Sequence, residues 1–457
     1  MATLELLHGF LWGLTADWIT LVGVFLSLGL QLLPLRALPW ACGQLLASLR
    51  DPPPGPGEIS SLGALMTALG GTLGIGHLTG MAISLGVGGP GVLPWMWLIG
   101  LVSLATRYCE TFLAVRFRRR NERGEVVGGP MEAIRAGLGF HWRGLATLYA
   151  ALATVGVFTL GNGVQAQELA AGLGQLSGLP PLVAGMAAAA LLWVALAGGL
   201  PRISRICTVL VPVMSGGYLL AAGLLLGRHA PLLPGLLAQM GREAFGPQAL
   251  AGGALAITVR AAVRTTVFTS EAGLGVASIA HAPASPADPV RQGALAMLAG
   301  VMSLLVCSAS GLLLLMSGVL ETNRPRGDFL AGGGGGLEPL RRAFVWAGGD
   351  GGAWIPLLCL VAFAFTTLLA FGYYGERCCI DLVGPRGQRP FRLLWIGVLV
   401  LASSQGLPGL WGLGNTMDAL MALPNLLALL LLSGAVFRAT RARAEREAAG
   451  AVAEGTP

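Results

Sequence analysis

Apolar residues in this chain come in long runs separated by clusters of glycine, proline and arginine. Runs such as Leu11 to Leu33, Leu182 to Ala197 and Leu393 to Ala402 are nearly free of charge, as a helix crossing a hydrocarbon core of about 30 Å requires. Cutting at the punctuation predicts about eleven spans, over 10–33, 60–84, 91–115, 143–172, 181–198, 205–227, 250–280, 291–319, 354–376, 392–408 and 416–437. The first run is too long for a signal-peptide core and has no small-residue cleavage site before Arg36, so it counts as a span. The segment 321–352, with five glycines from Gly332 to Gly336, reads as a loop with one short helix at 337–346.

Composition agrees with lipid as the solvent. Of 457 residues, 54% are hydrophobic and 11% charged, whereas soluble domains carry about 25% charged residues. The net charge of +7 comes from arginine alone, for the chain has no lysine. These arginines gather at Arg36 and Arg50, Arg116 to Arg123 with Arg135, Arg202 and Arg205, Arg291, Arg386 to Arg392, and Arg438 to Arg446. These clusters fall on alternate connections or the tail; of the other connections, those near Gly86, Ser177 and Pro408 carry none and the two longer ones mix arginine with acidic residues. The positive-inside rule then puts the N-terminus outside and the C-terminus in the cytoplasm, with a bacterial inner membrane as the location. Topology accounts for the basicity, so nucleic acid is not an expected partner and membrane lipid is.

Two predicted spans are interrupted. The second holds Thr67, Gly70, Gly71, Thr72, Gly74, Gly76 and His77, and the seventh holds Phe268-Thr269-Ser270-Glu271-Ala272-Gly273-Leu274-Gly275. A membrane helix tolerates such breakers only where something else satisfies its backbone. Glycines can instead serve close helix packing, but here the breaks lie five spans apart. With the first helix set aside, ten helices divide into two fives, each opening on a broken helix and running in opposite directions, the signature of an inverted-repeat transporter. The corresponding divisions are 1–59 (extra helix and cytoplasmic connector), 60–227 (first repeat, broken near 74–77), 228–437 (second repeat, broken near 269–275) and 438–457 (cytoplasmic tail). Unwound backbone at mid-membrane offers amides to a carboxylate and carbonyls to an ammonium or Na⁺.

Other polar groups lie within the spans. Gln165, beside Asn162, can face the same cavity or bond helix to helix. Thr366 and Thr367 offer hydroxyl oxygens to a hard cation, or back-bond to their own helix. Arg107 and Glu110, three apart on one face, suggest a structural ion pair. Glu271 and Arg264 suit either a cavity with its outer gate or a buried pair. The seven cysteines mostly sit in apolar runs without a C-x-x-C spacing and read as small apolar fillers, with no transition metal or disulfide expected. No H-E-x-x-H, G-x-S-x-G or Lys-based phosphate loop is present, so an enzyme is not expected, nor a bound cofactor.

Several stretches together resemble the alanine or glycine:cation symporters, also called sodium:alanine symporters. They are Ala64 to Leu69, Gly88-Gly89-Pro90-Gly91 with Trp95-Met96-Trp97, Gly128 to Met131, Gly161 to Ala166, Ser270 to Gly275 with Ala280-His281-Ala282, Tyr373 to Arg377, and Met421 to Asn425. The resemblance implies an all-α, LeuT-type fold of two inverted five-helix repeats with one extra N-terminal helix, and Na⁺-coupled uptake of a small neutral amino acid such as alanine or glycine. It further implies that amides of Gly74 and Gly76 hold the substrate carboxylate and that Gln165 contacts the substrate. Phe268 would wall the side-chain pocket and Thr367 would help bind Na⁺, with Thr72 and Thr366 as further cation candidates.

The chain departs from the family pattern at the site itself. Gly-Thr-Gly-Asn becomes Gly74-Ile75-Gly76-His77, the Asn before Glu-Ala-Gly becomes Ser270, the ninth-span Trp becomes Phe371, and the Tyr-Tyr pair after Gly-Gly-Pro-Met becomes Glu132-Ala133. His77 and Phe371 therefore join the substrate-binding candidates. A protonated His77 would replace part of the sodium charge, giving proton coupling with a different small amino acid as one alternative. A non-transporting amino-acid sensor on the same fold is another. The sequence leaves the oligomeric state open.

Overall fold

The computed structural model describes residues 2–52, 54–55, 57–247, 254–320, 336–405 and 409–454. The chain is built almost wholly of helices. α1 (Ala2–Gly29) leads to a helix in two pieces, α2 (Ser61–Thr72) and α3 (Thr79–Gly88), and then to α4 (Val92–Arg116). α5 (Arg143–Gly156) and α6 (Gln165–Ser177) make one rod through a wide π-helical turn, Val157–Val164, followed by α7 (Pro181–Ala197) and α8 (Gly199–Arg228). A second helix in two pieces follows, α9 (Ala254–Ser270) and α10 (Ser278–His281). The remaining long helices are α11 (Pro289–Ser317), α12 (Trp354–Val383), α13 (Gln388–Gln405) and α14 (Leu410–Glu454).

Among the described residues, seven helices are long and apolar enough to cross a membrane, and Thr79–Gly88 and Pro181–Ala197 are shorter apolar ones. Local chemistry sets their ends. Ser60 caps α2 by accepting from the Gly63 amide at 3.0 Å, and Asp288 caps α11 through the amides of Val290 and Arg291 at 3.0 and 3.2 Å. Proline occupies the first turn of α7 and α11. The short helix expected at 337–346 lies at Glu338–Gly348. Residues 332–335 of the glycine run, 250–253 and 406–408 of two expected spans, and 455–457 of the tail lie outside the described residues. Over the expected tail, α14 continues as helix to Glu454; residues 439–454 are rich in Ala, Arg and Glu, strong helix formers that need no lipid.

The two broken helices run antiparallel and are tied at both ends. Ile59–Ser60, leading into α2, pairs with Ala284–Ser285, just beyond α10. At the opposite end, the Thr258 hydroxyl of α9 donates to the Gly88 carbonyl of α3 at 2.8 Å. Around this pair, α4 packs closely on α11 where glycines permit it. A Cβ at Gly293 would stand 2.8 Å from Tyr108, and one at Gly300 would stand 2.4 Å from Leu104. Close packing by small residues is thus a property of α11. α1 lies against α4, α9 and α14.

Candidate functional site

At the first break α2 ends at Thr72, Gly74 is extended, Ile75–His77 form one tight turn, and α3 begins at Thr79. Leu73 donates its amide to Leu69, but the Ile75 amide turns to the Gln165 side chain, whose Oε1 accepts at 3.4 Å. Gly74 has to be small, because a Cβ there would meet Gln165 Nε2 and Thr367 Oγ1, each at 3.1 Å. At Gly76 the constraint is harder, for a Cβ would stand 2.3 Å from the Phe268 ring.

Thr367 points into the unwound segment. Its Oγ1 lies 3.2 Å from the Gly70 carbonyl oxygen, 3.3 Å from that of Gly71 and 3.4 Å from that of Leu73. One hydroxyl hydrogen can serve only one of the three, so this group of four oxygens retains lone pairs suited to a hard cation. Thr366 faces elsewhere; it back-bonds to the carbonyls of Ala362 and Phe363 and lies 3.8 Å from Met214 Sδ. Thr72 back-bonds to Ala68 at 2.9 Å while lining the cavity.

A small central cavity of about 30 Å³ gathers the predicted residues Thr72, Gly74, Gly76, His77, Gln165, Phe268, Thr367 and Phe371, together with Gly71, Leu160, Glu271, Leu274 and Asp418. Thr366 is the predicted site residue not among them. That volume admits about one water molecule, so an amino acid enters only if the walls move. The ring of Phe371 lies over Gly161, where a Cβ would approach to 2.3 Å. Fully buried His77 has Nε2 2.8 Å from the Ser303 hydroxyl and Nδ1 3.3 Å from the Gly74 carbonyl. Ser303 is also 2.8 Å from the Thr269 carbonyl, which links the first break to the end of α9.

The second break, 271–277, is held by side chains from distant helices. Arg107 donates to the Ser270 carbonyl and, at 3.3 Å, to Thr72 Oγ1. Glu110 accepts from the Gly273 amide at 2.9 Å and from Asn425 Nδ2 at 2.7 Å, while Tyr149 donates to the Leu274 carbonyl at 2.8 Å. The expected Arg107–Glu110 ion pair is therefore corrected. Instead Arg107 bonds the Ser270 carbonyl and Glu110 the Gly273 amide, backbone at the break where the need is greatest. Glu271 sits at φ +54°, a left-handed conformation that costs a non-glycine residue about 1 kcal/mol or more.

Arg264 and Glu271 do not pair. Glu271 lines the central cavity, whereas Arg264 lines a neighbouring cavity of about 340 Å³ with Trp12, Ser84, Arg260 and Phe268. Phe268 belongs to both cavities, and its ring lies tilted against Trp411 with 5.4 Å between centroids. Off the other end of the first broken helix lies a third cavity of about 420 Å³, lined by Glu58, Glu125, Tyr373, Arg377 and Arg392 among others. Ion pairs dominate there. Arg377 meets Glu125 at 2.6 Å, Arg118 meets Glu58 at 3.1 Å, and Arg392 pairs with Glu376.

Sequence reasoning missed Asp418, Asn425, Tyr149 and Ser303 as parts of the site. A signal existed for Asp418, since an acid inside an apolar span is a functional candidate on cost alone. Ser303 and Tyr149 gave none, because their roles depend on which helices become neighbours.

A bundle crossed by two antiparallel discontinuous helices, with unwound backbone around a mid-bundle cavity, is the architecture of a membrane transporter. The same fold is found in the crystal structure of MhsT in complex with L-phenylalanine, with a TM-score of 0.59 at 14% identity, covering 83% of this chain and 90% of that one. The chain belongs to the sodium:alanine symporter family, whose sequence profile matches residues 1–455. Its relatives include an uncharacterized transporter of Haemophilus influenzae, 35% identical across 96% of this chain and 95% of that protein. The sodium/alanine symporter AgcS of Methanococcus maripaludis is 32% identical across 95% of each. The chain is accordingly a multi-pass membrane transporter of a sodium-coupled amino-acid symporter family, not an enzyme.

Proposed function

We propose that this protein carries a small neutral amino acid, alanine or glycine first among them, into the cell together with Na⁺ by alternating access. The observation that carries this reading is the Thr367 hydroxyl set among the carbonyls of Gly70, Gly71 and Leu73, directly beside the free backbone of the first break. Carbonyl and hydroxyl oxygens suit Na⁺, and the amides from Gly74 onward suit a carboxylate. Ion and substrate would then be bound by the same unwound turn, which is what couples them. Gln165 fixes that turn and faces the substrate, Phe268 walls it, and Phe371 shapes the side-chain pocket. The protein resides in a bacterial inner membrane with its N-terminus outside, so that the cavity bounded by Arg264 and Phe268 is the outer vestibule and the ion-paired cavity the inner one. Residues 60–227 and 228–437 act as the two repeats.

Uptake of labelled alanine and glycine into proteoliposomes under an inward Na⁺ gradient, an inward proton gradient and neither tests the proposal. Accumulation driven by Na⁺ is the expected result. Saturable binding without accumulation in any condition would instead identify a sensor.

Proton coupling is a second reading, favoured by the surroundings of His77. A neutral ring can donate from Nδ1 to the Gly74 carbonyl and accept from Ser303, which costs Ser303 its bond to Thr269. A protonated ring donates to both and leaves Ser303 free to bond Thr269. Protonation at the first break would thereby alter a bond at the second. If His77→Asn leaves the pH profile and Na⁺ dependence of uptake unchanged, this reading fails.

A further inference from the structure

The central cavity that Thr367 lines also carries two carboxylates with no role in the proposal above. Glu271 stands at the second break and Asp418 on α14, and both line the 30 Å³ space. Glu271 is 3% exposed, and its Oε2 has no hydrogen-bond partner among the described residues. Asp418 is half-buried and has no hydrogen-bond partner among the described residues. A third unsatisfied group is close by, the buried Tyr374 hydroxyl, which lies in the field of Glu271. A buried carboxylate oxygen without a partner is costly, and two carboxylates facing one space repel each other unless a positive charge lies between them.

The surrounding protein does not supply that charge. From α4, Arg107 acts on Glu271 at short range, but its Nη atoms are committed to Ser270 and Thr72, and the same helix brings Glu110. The first break contributes His77, which is engaged by Ser303 and Gly74. α5 contributes the neutral Tyr149 and α12 the neutral Tyr374. α1 packs here through Thr15 and Ile19, and its Asp17 is exposed. One guanidinium thus stands against three carboxylates, Glu110, Glu271 and Asp418. A space for about one water is also a space for one small ion.

We propose that Glu271 and Asp418 bind one exchangeable monovalent cation, Na⁺ or a proton in its place, at a site distinct from the oxygen cluster at Thr367. The inference rests on the transport reading only for its consequence, a second coupling charge; binding itself is testable without transport. Because one carboxylate belongs to the second break and the other to α14, occupancy would draw these elements together across the cavity.

The test is equilibrium binding of labelled Na⁺ to the purified full-length protein without amino acid, in KCl-balanced buffer over a range of pH. It compares wild type, Asp418→Asn, Glu271→Gln and Thr367→Val. The expected result is loss of one Na⁺-binding component in Asp418→Asn and in Glu271→Gln, with the component sensitive to Thr367→Val retained. Should Na⁺ binding be the same in wild type and Asp418→Asn while proton release on Na⁺ addition or the pH dependence of uptake shifts in the variant, the occupant is the proton. Unchanged Na⁺ binding, proton release and pH dependence in a folded Asp418→Asn would overturn the proposal. Glu271→Gln carries the risk of misfolding at a strained position, so the decision rests on the isosteric change at Asp418. Absence of uptake alongside intact, Asp418-dependent binding would break the transport reading and leave this one standing.

Discussion

The two breaks solve the same problem, unpaired backbone inside a membrane protein, in opposite ways. At the second, Arg107, Glu110, Tyr149 and Asn425 reach in from three helices and bond the loose carbonyls and amides directly. At the first, Gln165 and Thr367 make only long contacts of 3.2 to 3.4 Å, and glycines keep the backbone open to the cavity. A break whose bonds are already made holds a shape, whereas one whose bonds are half made is ready for a ligand to finish them. The second is therefore the braced joint and the first the binding turn.

Substitutions should separate these roles, stability on one side and transport on the other. The largest effect is expected from Glu110→Ala, which leaves the Gly273 amide and Asn425 without their acceptor and should cost about 3 kcal/mol. It would be read as a lower unfolding midpoint in detergent. Gly76→Ala comes next. The added Cβ meets the Phe268 ring at 2.3 Å, so the ring has to shift within the site, which should lower uptake roughly thirty-fold, while the overpacking itself, about 1 kcal/mol, should lower the unfolding midpoint less than Glu110→Ala does. If Gly76→Ala lowers the midpoint as far as Glu110→Ala does, the distinction between joint and binding turn is lost.

Thr367→Val removes one of the four oxygens facing the first break and should raise the Na⁺ concentration for half-maximal uptake about ten-fold, or about 1.4 kcal/mol. The smallest effect concerns the ion-paired cavity. Pairing with Arg377 holds the Glu125 carboxyl below its ordinary range. Its contribution is thus fully present above the ordinary carboxylate pKa and fades as the pH falls through the lowered value. Glu125→Gln should abolish that acid-side loss and change little at neutral pH, as unfolding midpoints measured across the acid range would reveal.

Much of this architecture was legible in the sequence because lipid leaves few options. A long apolar run must be a helix, and glycines with polar residues inside one must mark a place where backbone finds other partners. The cluster Gly70 to His77 and the run Phe268 to Gly275 therefore announced both breaks, and family motifs pointed to Gln165 and Thr367. What stayed hidden was partnership. Arg107 and Glu110 share a helix face, which suggested that they pair, but local spacing carries no information about α9 and α14, whose loose backbone competes for both. Thr366 and Thr367 are adjacent in sequence yet diverge by a helical step, one into α8 and one into the cavity. Asp418 was overlooked beside louder motifs, although its charge in an apolar run was signal enough.

The ties between the broken helices have a mechanical side. Ile59–Ser60 with Ala284–Ser285 fastens one end of the pair and Thr258 with Gly88 the other, so sliding one helix along the other would break both fastenings, while tilting the pair as a unit breaks neither. Two rods pinned at both ends behave as a single plank, and the hinge line must then run between this plank and the helices around it.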